Sequence, residues 1–103
     1  MIGHLFIDDI LIGEINLKVI DQSMGVIGGL LNPLSTYNQF RFRLQECYRE
    51  KGIANALDFN FILKINGNKV EVEGGIGITD SHDFVDEIEV GISGVPHEYI
   101  IEV

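Results

Sequence analysis

The sequence predicts an α+β fold, a mainly antiparallel sheet of five to seven strands with one principal helix, at about residues 35–51, packed on one face. Three observations predict it. Short runs of alternating apolar and polar residues recur along the chain, the period-two signature of half-buried strands. Turn-forming residues separate these runs at hairpin spacing. Only the stretch between Ser35 and Gly52 repeats its apolar residues at helical spacing.

The first expected element is a β-hairpin. Ile2–Ile7 is short and apolar, and Asp8-Asp9 supplies turn chemistry. A second strand, Leu11–Ile20, alternates from residue 14 onward, with Ile15, Leu17 and Val19 expected inward and Glu14, Asn16 and Lys18 outward. Met24–Leu31 reads as a short third strand, interrupted by Gly28-Gly29, which permit a bulge or a close backbone approach. These glycines lack the spacing of a phosphate-binding loop.

The helix is bounded on both sides. Ser35 or Thr36 can cap it, and Pro33 suits a helix start or the turn before it. Tyr37, Phe40, Leu44, Cys47 and Tyr48 share one stripe, and Phe42 falls off it. Gly52 supplies the stop, after Arg49 and Lys51, whose charges suit the negative end of the helix dipole.

A connector with Asn55 and Asp58 as turn formers precedes a second hairpin. There, Phe59–Ile65 returns through Asn66-Gly67-Asn68 to Lys69–Glu73. Gly74–Ile78 continues after a break, and Asp80–Asp83 reads as a loop. Glu87–Ile92 alternates with Ile88, Val90 and Ile92 inward. After the turn Gly94-Val95-Pro96, Tyr99–Val103 reads as a final strand.

The 103 residues suit a single domain, 1–103, and 46% hydrophobic content is enough for one core. One cysteine, Cys47, rules out an internal disulfide and fits a reducing compartment. The N-terminus lacks the basic region and cleavage site of a signal peptide, and no apolar run reaches the roughly 20 residues that span a bilayer. The expectation is a cytoplasmic protein that engages no membrane.

No pattern of catalytic residues stands out. Asp80, His82, Asp83 and Asp86 lie close in sequence but match neither an EF-hand nor a zinc spacing, and turn chemistry explains them without a metal. His4 and His97 belong to no metal or catalytic motif. Cys47 lies on the buried stripe, where a cysteine is an inert small hydrophobe. No metal, no cofactor and no enzymatic activity are expected.

The charge distribution is more informative. The net charge of −9 is concentrated: residues 1–64 carry 7 acidic and 6 basic side chains, whereas residues 65–103 carry 9 acidic and one basic. Such a surface disfavours nucleic acid and anionic lipid and favours a cationic partner. Glu71, Glu73, Asp83, Asp86, Glu87 and Glu89 are the expected partner-binding residues. Glu71 with Glu73, and Glu87 with Glu89, each share one strand face and would cluster if their strands were neighbours.

The function expected from these features is a non-enzymatic protein-binding module. Its most concrete form is a small acidic bacterial inhibitor, immunity- or antitoxin-like, that neutralises a basic toxin such as a nuclease. The alternatives are a mimic of nucleic-acid charge and a structural homo-oligomer, since a homodimer would cover the sheet's second face.

Overall fold

The computed structural model describes residues 1–81, 83 and 87–102. Its strands are β1 (Ile2–Ile7), β2 (Ile10–Asn16), β3 (Lys18–Asp21), β4 (Val26–Pro33), β5 (Phe61–Ile65), β6 (Asn68–Lys69), β7 (Gly75–Thr79) and β8 (Glu89–Ser93). The helices are α1 (Asn38–Lys51), led in by a 3-10 turn at Ser35–Tyr37, and the short α2 (His97–Glu102). The spatial order is β6-β5-β1-β2-β4-β8-β7, with β3 paired to β4. Every pairing is antiparallel.

The described residues form an eight-stranded sheet, and the expected strand Leu11–Ile20 splits in two. Up to Asn16 it pairs with both β1 and β4, but β1 ends there, with Ile2 opposite Asn16. Leu17 turns its side chain into the core (1% exposed), and its N–H donates to the Met1 carbonyl at 2.7 Å. Beyond it, β3 pairs with β4 alone. Val19, expected inward, is therefore 37% exposed: its alternation is right, but β3 projects past the layer that would cover it.

β4 joins the two halves of the sheet and makes it curl. Leu31–Pro33 pairs with β2, while Ile27–Leu30 pairs with β8 on the other edge. Pro33 thus ends a strand opposite Gly13 rather than opening the helix. The curled sheet wraps its apolar rows around one core. Leu5, Ile12, Ile15, Leu63 and Ile65 come from one half and Ile27, Ile78, Val90 and Ile92 from the other.

Tyr37 and Leu44 of the helical stripe are fully buried against this core, and Phe40 and Cys47 are half-buried beside it. Phe40 meets Phe59 edge-on, with ring centroids 6.2 Å apart. Among the described residues, no side chain caps α1. The Thr36 hydroxyl, an expected cap, donates instead to the Leu11 carbonyl on β2 and pins the 3-10 turn to the sheet. The stop at Gly52 is as expected, in the left-handed region at φ 84°, with its N–H bonded to the Tyr48 carbonyl at 2.8 Å. The turn after it forms around Asn55 and Asp58, whose side chains accept from Leu57 N–H and Asn55 N–H.

Two further expectations are corrected. The return strand Lys69–Glu73 is only two residues long, because the chain leaves β5 after Val70 and crosses to β8. There Glu73 N–H and Gly74 N–H donate to the carbonyls of Gly94 and Ser93. The expected final strand is α2. Both edges of β8 are already taken by β4 and β7, so no partner remains for a strand in that position. Pro96 sits just before the helix, Glu98 lies in its first turn, and Ile100 is buried, 4% exposed.

Candidate functional site

The expected acidic cluster is not assembled. Glu71 and Glu73 lie in the crossing between β6 and β7, at the Gly94 end of β8, while Glu89 opens β8 at its other end. Four residues of strand, about 13 Å, separate the two ends. All four glutamates of the two pairs are exposed, as is Asp83; Asp86 lies outside the described residues. Glu71 approaches Lys69 at 3.6 Å. Glu71 and Glu73 border a cleft of about 450 Å³ with Met24, Pro96 and His97.

Asp80 does not belong to a surface loop cluster at all. It is fully buried, accepting from the Tyr37 hydroxyl at 2.6 Å and from Gln45 Nε2 at 3.3 Å. Among the described residues, no group of three or more His, Cys, Asp and Glu side chains could hold a metal ion. Adding EDTA should leave the melting temperature unchanged. A fall that calcium or zinc reverses would reveal a bound cation, since a ligand of the folded state stabilises by mass action.

Cys47 is half-buried, and burial pushes its thiol up, away from the reactive thiolate. His4 faces Glu14 across the β1–β2 pair, at 3.2 Å, on an exposed surface.

The sequence reading missed a groove on the outer face of the second half-sheet. Gly28, Gly91 and Gly77 stand opposite one another on β4, β8 and β7, forming one row across three strands. Two of them are covered from within the chain. Ile20, the extra residue of a bulge between Val19 and Asp21, folds over Gly28, and a Cβ there would come within 2.8 Å of Ile20 Cδ1. Ile53, placed by the helix stop and by the Ala54–Ile78 bridge, lies over Gly77 in the same way, at 2.5 Å.

Gly91, between them, is exposed, with no described residue within 4 Å of where its Cβ would be. A groove thus runs along β8. Ile20 and Leu30 (65% and 51% exposed) form one wall, and Ile53 and Leu57 (37% and 91%) form the other. Ile53 divides it into hollows of about 370 and 430 Å³. Glu89 stands at one mouth, opposite Leu30 and Thr79. Among the described residues, no Lys or Arg lines either hollow; Lys18 stands opposite Gly28 on β3, at the end of the glycine row.

The arrangement offers packing and charge rather than bond-making chemistry: exposed aliphatic walls, a floor of bare backbone, and a carboxylate at the end. The signal in the sequence was Gly91, a glycine at an outward position of the alternating run Glu87–Ile92. Its neighbours across the sheet could not be known without the register. No family model, no curated protein and no solved structure matches this chain.

Proposed function

We propose that this chain is a protein-binding domain that holds a basic partner protein against the outer face of β4, β8 and β7. In its most concrete form it is an inhibitor of the immunity or antitoxin kind, neutralising a basic toxin. The observation that carries this reading is an exposed apolar groove with an exposed glutamate at its mouth, on a chain of net charge −9. Exposed apolar surface gathered in one place, edged by charge, is the usual form of a docking site. The acidic surroundings select the sign of the partner and speed its arrival. Mimicry of nucleic acid is less well served, because it needs an extended ridge of carboxylates, and here the two glutamate pairs stand at opposite ends of β8.

The test is the association rate with a basic protein retained by the immobilised chain, measured at low and high salt. Glu87→Lys with Glu89→Lys should slow association several-fold at low salt and have little effect at high salt, where the Debye length falls to about 3 Å. Both positions are exposed, so the variant should keep the wild-type fold. Equal rates for the two proteins at both salt levels would reduce these carboxylates to a solubility device and remove the reading.

A further inference from the structure

Among the described residues, no close contact and no positive φ requires glycine at position 91. Glycine in a strand interior weakens the strand and often marks a close approach by another molecule. At Gly28 the approaching groups are the Val90 carbonyl and the Ile20 side chain, and at Gly77 the Ile53 side chain, all of the chain itself. At Gly91 no described residue comes within 4 Å of where a Cβ would stand, and the residue is not among those with positive φ. A side chain there would meet no obstacle among the described residues, yet it would fill the groove midway between its walls.

We infer that the groove along β8 receives an extended cationic segment of a partner protein, which lays an aromatic side chain flat on Gly91 between Ile20 and Ile53 and a Lys or Arg beside Glu89. This rests on the protein-binding reading above and names what the groove takes.

The backbone of β8 is hydrogen-bonded on both edges, to β4 and β7, so the segment cannot join as a further strand. It must bind by packing on the face. A flat ring suits a floor of bare peptide between two aliphatic walls, much as aromatic side chains cover glycines of neighbouring strands within designed sheets. Glu89 is two residues along β8 from Gly91, about 7 Å, so the cation falls within one or two residues of the ring. A second copy of the chain fits less well. It would bring another −9 to the interface, and two concave grooves cannot fill each other.

The test uses the full chain, immobilised, to select from a phage-displayed library of random twelve-residue peptides. Selected peptides, made synthetically, are then titrated by fluorescence anisotropy. The selected sequences should join an aromatic residue to a nearby Lys or Arg. Gly91→Ala should weaken their binding a few-fold and Gly91→Phe tenfold or more, while Phe42→Ala, on the outer face of the helix, should leave it unchanged. Circular dichroism and the melting temperature establish that each variant is folded.

A selection that enriches no such sequence, or peptides that bind Gly91→Phe as tightly as wild type, would overturn the inference. A dimer of the chain that Gly91→Phe dissociates would also overturn it, by giving the groove to a second copy. The two readings fail separately. A basic protein whose association is slowed by the Glu87 and Glu89 reversals but indifferent to Gly91→Phe would keep the proposed function and refute this groove as its anchor.

Discussion

Replacing Leu44 by alanine should destabilise the fold by about 2–5 kcal/mol, the range for removing a fully buried leucine and leaving a cavity behind. Leu44 is fully buried and is the central residue of the helical stripe, with Phe40 one turn before it and Cys47 after it, both only half-buried. Its isobutyl group is therefore the part of α1 with least freedom to be replaced by relaxation of its neighbours. Phe42 provides the internal comparison. It lies two residues away on the same helix, is 70% exposed, and should cost no more than about 0.5 kcal/mol when cut to alanine. Urea unfolding of the two variants beside the wild type measures both. In a domain of this size the Leu44→Ala loss should lower the melting temperature by roughly 4–8 °C for each kcal/mol. Equal, small losses for the two would mean that the helix does not turn this stripe to the sheet.

That contrast was legible in the sequence because helical spacing alone separates Leu44 from Phe42. So were two local turns. Asn66 and Gly67 both take positive φ, at 54° and 79°, as the hairpin turn requires, and Gly52 stops the helix. What could not be read were the features fixed by neighbours. Val19 alternates correctly and still lies exposed, because β1 is too short to reach it. Tyr99 and Ile100 have strand-like composition but belong to a helix, because β8 has no free edge to offer. The carboxylates of Glu71 and Glu73 were rightly expected at the surface. Their association with Glu87 and Glu89 required a strand that the chain gives up in order to cross to Gly94. The groove depends on registry among β4, β8 and β7 and on the bulge that moves Ile20, and neither leaves a mark in any single segment.

Asp80 is the residue most misplaced by its sequence context, and removing its partner should have the second large effect. Turn-like neighbours suggest an exposed loop, yet the carboxylate is buried, held by Tyr37 from the start of the helix and Gln45 from its middle. Tyr37→Phe deletes the 2.6 Å bond and leaves Asp80 Oδ2 without that donor in a site closed to water. An abandoned buried acceptor costs about 1–3 kcal/mol, more if charged, so the variant should be less stable than wild type by at least that range near neutral pH.

The same bond gives the prediction a pH signature that a packing defect would not share. Burial first, then the hydrogen bond to Asp80 and its negative charge, hold the Tyr37 phenol far above its ordinary value of 10.0; the Arg41 guanidinium, 5.2 Å over the ring, acts weakly the other way. In the unfolded chain the phenol ionises near pH 10, whereas in the folded chain it keeps its proton. The stabilisation is thus fully present below about pH 10 and is lost as pH rises above it, at about 1.4 kcal/mol per pH unit, because the unfolded state sheds a proton that the folded state retains. Tyr37→Phe has no such proton. The substitution changes no other titratable group, so the difference between the two proteins isolates Tyr37. The stability gap between wild type and variant, followed by urea unfolding from pH 7 to 11, should be constant up to about pH 9.5 and then narrow. A gap that stays the same through pH 11 would mean that Tyr37 ionises in the folded chain much as it does in the unfolded one, and that its hydroxyl is not committed to Asp80.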